Sequence, residues 1–446
     1  MPDDTVRRLP RSRRHDREFR LYTTADLDEL TARAGLPADQ RLAVRAAATV
    51  VPFAITGYVA EELIDWTAGI DDPIYRLTFP QPDMLPAEQV SRLCDLLIQD
   101  AAPQQVTAAA REWERAGAPQ RPAPAPIALA PLGGQAGDEV VLTLPDPHRP
   151  TGGYGTDHAS SPPPHPDRRP RWAATPQGLR DLAAYVLAHP HVTSVVINGD
   201  EPMTAGAPLL ARCLDTVTAL DQIQTVQLET AALARWPYRW ITQPGADADD
   251  TLRLFETVAT AGKNLTVMAR LCHPREMEPE PVRQASRRIG DTGAVIRTRG
   301  PLMAGINDSV QDWTRLWRRQ LRLGMIPFLM TLEDHSGPTE RLAVPLGRAR
   351  ELFQQSYAQV SGLARTVRGP AMTTASTVIY VDGITEIQGE KVFMLRFAST
   401  DDRDLFAQPF FARYDPDAVA PTALEPIAGL PFPHEALTAG MPPASG

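Results

Sequence analysis

The chain has 446 residues, of which 43% are hydrophobic, so it can bury a sizeable core and form two or three domains. Its net charge of −9 offers no positive surface to a nucleic-acid backbone, which excludes nucleic acids as expected partners. No run of about 18 apolar residues occurs, and no apolar stretch follows the basic start as a signal peptide requires. We therefore expect a cytoplasmic protein that binds neither nucleic acid nor membrane.

Cysteine and lysine are both scarce, and this limits the chemistry. The three cysteines, Cys94, Cys213 and Cys272, lie far apart with no CxxC spacing, which argues against a disulfide framework and fits a reducing compartment. Lys263 and Lys391 are the only lysines. Because arginine cannot form a Schiff base, these two residues are the only lysine amines available for one.

The N-terminal third is predicted to be largely helical. Residues 1–20 form a basic segment that we expect to be a mobile arm, and residues 21–116 carry helical periodicity. Thr24 is the predicted N-cap of the first helix, and DDPIYRLTFPQPDML is interpreted as a connector. Residues 117–138 are rich in proline and alanine and are predicted to be an extended linker.

Residues 139–365 alternate short apolar strands with amphipathic helices. Such alternation is typical of parallel βα units, and both an incomplete barrel and an open doubly wound sheet fit it. The six predicted strands are EVVLTL, VTSVVIN, TVQLET, NLTVMARL, AVIRTR and IPFLMTL.

Residues 366–420 are predicted to form a small C-terminal β segment. Three strand-like stretches there are separated by Asp382-Gly383 and Gln388-Gly389, which are typical turn pairs. Residues 421–446 are rich in proline and alanine and are predicted to be a flexible tail.

Several short motifs occur in an order and spacing that resemble lysine 2,3-aminomutase and its relatives, which are radical S-adenosylmethionine (SAM) enzymes. The resemblance extends from about residue 20 to 420. It implies a partial (βα)6 barrel with a helical N-terminal region and a C-terminal β segment, and an active site at the carboxyl ends of the strands. The motifs are DDPIYRLTFPQPDML, VVINGDEPM, CHPREM, IRTRGPLMAGIND, SGLARTVRGPAM and GEKVFMLRFAS.

The resemblance also implies a [4Fe–4S] cluster, SAM and pyridoxal phosphate, yet the residues for the cluster are absent from the sequence. The family's CxxxCxxC motif follows the first barrel strand, where this chain has no cysteine. That segment contains His148, His158 and His165, which are weak alternative metal ligands without HxH or HxxxH spacing. We expect no metal there.

The motifs for the other two cofactors have also changed. The family's GGDP turn, which approaches SAM, corresponds here to Gly199-Asp200-Glu201-Pro202, so a charged side chain replaces one glycine. The position of the family's pyridoxal phosphate lysine corresponds to Val378. The chain is therefore interpreted as a degenerate relative that needs none of the three cofactors.

A candidate pocket remains where strands of the predicted barrel end. Arg297 and Arg299 could bind a carboxylate or phosphate group of a small anionic ligand. We expect Arg299 to pair with Glu229, Asp200 or Glu201, because an unpaired buried guanidinium is unstable. The candidate pocket residues are Cys272, His273, Arg275, Glu276, Arg297 and Arg299.

Two functions are compatible with this pattern. The first is a non-catalytic homologue, or pseudoenzyme, that acts as a binding or partner subunit in a homo-oligomer or in a hetero-oligomer with an active paralogue. The alternative is an enzyme of specialised metabolism that uses the pocket for non-radical chemistry, although homology alone would name it an amino-acid 2,3-aminomutase.

Overall fold

The computed structural model describes residues 19–117, 138–144, 170–199, 201–241, 247–333, 337–373, 378–399, 405–427 and 432–433. Nearly all of the predicted arm, most of the predicted linker and most of the predicted tail lie outside these residues, as does the segment with His148, His158 and His165. Within the described residues, no helix is long and apolar enough to cross a membrane.

The N-terminal region consists of helices and one short strand pair that the sequence pattern did not predict. Thr24 is the first residue of a 3-10 turn, not an N-cap, and the Thr23 N–H donates to the Asp26 carboxylate over 2.8 Å. The elements are β1 Leu21–Thr23, α1 Leu27–Arg33, α2 Ala38–Ala47, β2 Ala54–Thr56, α3 Pro73–Thr78, α4 Ala87–Ile98 and α5 Pro103–Gly117.

The predicted connector contains α3, which begins for a local reason. The Asp72 carboxylate accepts hydrogen bonds from the N–H groups of Ile74 (2.9 Å) and Tyr75 (2.8 Å), and Pro73 occupies the first helical position. Asp72 is fully buried, so this cap holds α3 inside the protein.

An 11-stranded sheet dominates the described residues, and all six strands predicted between residues 139 and 365 belong to it. From one edge the order is β4, β3, then β5 to β13 in chain order. Strands β4 to β10 are parallel to their neighbours, whereas β10 to β13 pair antiparallel. The strands are β3 Glu139–Thr143, β4 Arg171–Ala173, β5 Ser194–Asn198, β6 Thr225–Thr230, β7 Asn264–Arg270, β8 Val295–Pro301, β9 Ile326–Leu332, β10 Arg368–Thr373, β11 Val378–Ile387, β12 Glu390–Ser399 and β13 Pro409–Arg413.

The strand order from β5 to β10 has no reversal, so the sheet lacks the switch point of a doubly wound fold. Right-handed crossovers that all advance in one direction place their helices on one face of the sheet. The connecting helices are α6 Pro176–Ala188, α7 Ala207–Thr218, α8 Ala232–Arg235, α9 Ala248–Thr260, α10 Glu280–Asp291, α11 Val310–Arg322 and α12 Leu346–Ala358.

The two faces of the sheet differ in character. On β6, Val226 and Leu228 join the main apolar core, whereas Gln227 and Glu229 alternate with them and are only half-buried. We call the face that carries Gln227 and Glu229 the inner face. Its polar residues lie on β6, whereas a separate apolar cluster includes Met268, the register partner of Glu229.

The C-terminal strands extend the main sheet instead of forming a separate one. The predicted turn at Gln388-Gly389 is correct, with positive φ angles of 53° and 82° and a two-residue loop between β11 and β12. The predicted turn at Asp382-Gly383 is wrong. These residues form a β-bulge inside β11, where the register shifts between Val381 and Gly383, because glycine suits a bulge as well as a turn.

Candidate functional site

The turn after β5 contains the described residues of the predicted SAM turn: Gly199, Glu201 and Pro202. One Glu201 carboxylate oxygen accepts from the Met203 N–H (3.0 Å) and the Thr230 hydroxyl (2.5 Å), and the other accepts from the Ala231 N–H (2.9 Å). Glu201 thus joins the turn after β5 to the turn after β6. Asp200 lies outside the described residues.

The Glu201 carboxylate mainly holds these two turns together. Burial raises its pKa, although its hydrogen bonds to Thr230, Met203 and Ala231 favour the ionised form. Each carboxylate oxygen already has a protein donor. Its position at the carboxyl edge agrees with the sequence interpretation, but its contacts serve the fold.

Gly199 is required by the close approach of two strands. A Cβ at this position would lie 2.6 Å from the Leu144 carbonyl oxygen, and the Leu144 N–H already donates to the Asn198 carbonyl over 2.8 Å. Only glycine fits this contact without a backbone shift. The retained glycine is therefore explained without any ligand.

The turn after β7 contains Cys272, one of the candidate pocket residues. It is 1% exposed and packs in an apolar cluster with Leu77, Met303, Ile306 and Leu342. The Cys272 thiol is therefore not accessible, because Leu77 from α3 covers this turn.

The neighbouring His273, Arg275 and Glu276 also make structural contacts. Arg275 forms an ion pair with the buried Asp72, and Glu276 accepts from the N–H groups of Cys272 and His273 at 2.5 and 2.9 Å. Burial lowers the pKa of His273, against the opposing effect of Asp312. Arg275 thus fixes the N-terminal region to the turn after β7, and Glu276 holds that turn in shape.

The motif after β8 completes this network. The Asn307 side-chain amide donates to the carbonyls of Cys272 and Pro301, both at 2.8 Å, and its oxygen accepts from the Met303 N–H. Arg76 of α3 donates to the Gly305 carbonyl over 3.2 Å. Three of the motifs that carry the family resemblance therefore contact one another.

Arg299 lies on the inner face near the carboxyl edge, where its predicted pairing with Glu229 is present. The two side chains are 3.8 Å apart, which is an ion pair but longer than a hydrogen bond, and Nε of Arg299 has no hydrogen-bond partner in the described part of the chain. Burial lowers the pKa of Arg299, opposed chiefly by Glu229. Arg270 is its register neighbour on β7.

Arg297 is one member of a row of alternating arginine and aromatic side chains across five strands. Its guanidinium carbon lies 4.9 Å from the Phe328 ring centroid, and that of Arg368 lies 5.4 Å from the same centroid. Arg396 lies 5.1 Å from the Tyr380 centroid. Of this row the sequence pattern indicated only Arg297, because strand register brings the others beside it.

The cysteines and lysines do not converge. Cys94 is half-buried on α4, and Cys213 is buried on α7, where burial raises the pKa of the thiol to about 11. Lys263 precedes β7 and donates to the Leu220 and Ile223 carbonyls at 2.8 Å, and Lys391 is the second residue of β12. Both lysines lie at the amino edge of the parallel strands, opposite the turns described above.

Val378, at the position of the family's lysine, is buried. No group of three or more potential metal ligands occurs among the residues that the structure describes. The weak metal-binding alternative at His148, His158 and His165 falls outside them.

Comparison with known proteins supports the resemblance. No protein-family model matches the chain. It is 27% identical over 185 residues to a putative L-lysine 2,3-aminomutase of Aquifex aeolicus (strain VF5), covering 41% of this chain and 48% of that protein. It is 23% identical over 195 residues to the L-lysine 2,3-aminomutase of Escherichia coli (strain K12), covering 43% of this chain and 54% of that protein.

This chain is similar to lysine 2,3-aminomutases. It spans about half the length of the curated relatives it matches. Among solved structures, the crystal structure of Streptococcus suis SuiB bound to precursor peptide SuiA matches with a TM-score of 0.31 and 14% identity, over 57% of this chain and 50% of that one. A match this weak carries no argument.

Proposed function

We propose that this protein is a lysine 2,3-aminomutase homologue without radical or pyridoxal phosphate chemistry, which acts as a binding or partner subunit. We further propose that its unreversed parallel sheet is a partial (βα)6 barrel of the radical SAM type. The observation that carries the functional proposal is the placement of the cysteines.

A [4Fe–4S] cluster that binds SAM needs three thiolates converging on one site. The 446 residues contain three cysteines, and these lie on α4, on α7 and after β7. They belong to separate apolar clusters, and burial raises the pKa of Cys94 and Cys213, which disfavours the thiolate. The residues present do not fit the cluster.

The lysines do not fit pyridoxal phosphate either. An internal aldimine requires an amine facing the cofactor. Lys263 is held by two backbone carbonyls, and Lys391 lies 3.7 Å from the Tyr414 ring centroid, both at the amino edge. Val378 begins β11 at the carboxyl edge and provides no amine.

The contacts among the shared motifs favour a scaffold kept for binding. Two contacts maintain the architecture around the carboxyl edge without needing any cofactor. They are the ion pair of Asp72 with Arg275 and the hydrogen bond from Asn307 to the Cys272 carbonyl. A subunit that pairs with an active paralogue needs its surface and not its chemistry.

Anaerobic reconstitution with iron and sulfide is the direct test. We expect no stoichiometric cluster and no absorption at about 400 nm, because thiolate ligation is not available. The matched control is the variant Cys94→Ser, Cys213→Ala, Cys272→Ser, which should retain the same low iron content as the wild type.

An active lysine 2,3-aminomutase reconstituted in parallel shows that the procedure works. Binding of about four irons per wild-type chain, lost in the triple variant, would contradict the proposal.

A specific observation favours a bound small anion at the inner face. Arg299 and Arg270 are adjacent on β8 and β7, and the 3.8 Å ion pair with Glu229 leaves Nε of Arg299 without a hydrogen bond. A carboxylate or phosphate could accept from this guanidinium. Such a ligand would suit either a binding subunit or the alternative of a repurposed enzyme.

Phosphate should therefore raise the melting temperature of the wild type, and Arg299→Gln should reduce that increase. Arg287→Gln, an exposed position on α10, is the matched control and should respond like the wild type. Equal phosphate-dependent stabilisation in wild type and Arg299→Gln would remove Arg299 as the binding group.

A further inference from the structure

A cavity lies at the amino edge of the sheet, away from the turns described above. Its volume is about 320 Å³, within the range of small-molecule sites. It lies between the second half of α12 and the start of β10, and we call it the amino-edge pocket. Its lining includes Arg350, Phe353, Tyr357, Arg368, Asp382 and Arg396.

The amino-edge pocket has more positive than negative charge. Asp382 forms a bidentate ion pair with Arg396, with distances of 2.7 and 3.1 Å. Neither Arg350 nor Arg368 has an ion pair with a carboxylate of the described residues. Two positive charges therefore remain without a bonded carboxylate.

Arg350 shows most clearly that an acceptor is missing. Its Nε is buried and has no hydrogen-bond partner among the residues described. Burial lowers the pKa of Arg350, and the Asp382 carboxylate opposes this without forming an ion pair. A buried guanidinium N–H without an acceptor costs free energy that a bound anion would recover.

An aromatic surface adjoins these arginines. A neighbouring cavity of about 390 Å³ shares Arg350, Phe353 and Tyr357 with the amino-edge pocket and adds Arg365. The Phe353 and Tyr357 rings are stacked, with centroids 5.4 Å apart and planes inclined by 26°. A planar ring can pack against such a surface.

We propose that the amino-edge pocket binds a phosphorylated small molecule that carries a planar ring, of which a mononucleotide is the simplest example. Its phosphate contacts Arg350 and Arg368, and its ring packs on Tyr357. A phosphate dianion balances the charges of both arginines, whereas a monocarboxylate balances only one. This site is separate from the proposed anion site at Arg299. The proposal does not depend on the proposed loss of radical chemistry.

Calorimetric titration of the full chain with adenosine monophosphate tests the proposal. We expect it to bind more tightly than inorganic phosphate, which lacks the ring, and than adenosine, which lacks the charge. A parallel titration with citrate tests whether the pocket prefers carboxylate anions. Citrate should bind more weakly than adenosine monophosphate. Absence of binding by adenosine monophosphate, or tighter binding of citrate, would overturn the proposal.

Variants separate binding from folding. Arg350→Gln should weaken adenosine monophosphate binding by roughly tenfold or more, because a charged hydrogen bond is lost. Arg348→Gln, an exposed position on the same helix that pairs with Glu351, is the matched control and should bind as the wild type does. Tyr357→Leu should weaken adenosine monophosphate binding but leave inorganic phosphate binding unchanged.

Because Arg350→Gln removes a poorly satisfied buried group, its melting temperature without ligand should not fall. A variant that melts like the wild type yet loses ligand binding supports the proposal. Unchanged affinity in Arg350→Gln, or an equal loss in Arg348→Gln and Arg299→Gln, would overturn it.

Discussion

Asp72→Ala is expected to lower the free energy of unfolding by about 3–5 kcal/mol, which is the usual cost of removing one partner of a buried ion pair. Asp72 is fully buried, caps α3 through the N–H groups of Ile74 and Tyr75, and pairs with Arg275. The substitution therefore removes a helix cap and leaves the Arg275 guanidinium without its carboxylate.

Urea denaturation followed by circular dichroism would measure this change. Asp250→Ala is the matched control, because Asp250 lies in the first turn of α9 and its ion pair with Arg253 is exposed on both sides. We expect the control to change stability by less than about 1 kcal/mol. If the two variants were equally stable, α3 would not be anchored through Asp72.

Gly199→Ala is expected to destabilise the protein by about 1–3 kcal/mol, because an added methyl group forces the backbone apart. The new Cβ would lie 2.6 Å from the Leu144 carbonyl oxygen, which is backbone and cannot rotate away as a side chain can. The strain would act on the adjoining ends of β3 and β5, where Leu144 and Asn198 are hydrogen-bonded.

Gly290→Ala provides a control of opposite sign. Gly290 lies within α10, and a Cβ there would meet no atom within 4 Å, so alanine should stabilise the helix by up to about 1 kcal/mol. The same urea denaturation measures both variants. A neutral Gly199→Ala would mean that this glycine is not kept for strand packing, and a ligand-related explanation would regain force.

Both substitutions lie in motifs that this chain shares with its aminomutase relatives. Asp72, Arg275 and Gly199 all lie in segments that resemble the aminomutases, and each has a complete structural explanation in the contacts it makes. Large losses of stability would support the view that these motifs are retained because they hold the fold together. Such retention is consistent with a binding or partner subunit.

The sequence by itself determined the features that depend on local pattern or on composition. The apolar pattern of TVQLET predicted the strand β6, because side chains in a strand point alternately to opposite sides. The positions of the three cysteines showed without any coordinates that the CxxxCxxC motif is missing. A carboxylate partner for Arg299 could be expected in advance because a buried charge needs one, but the structure decided that it is Glu229 and not Glu201.

Only the tertiary structure decided which distant residues meet. Arg275 contacts Asp72 across 203 residues of chain, and the apolar cover that Leu77 gives to Cys272 depends on where α3 packs. The amino-edge pocket likewise brings Arg350 from a helix to Arg368 and Arg396 from strands. Local periodicity states which face of an element is buried, but not which other element covers it, and that choice belongs to the packing of the whole chain.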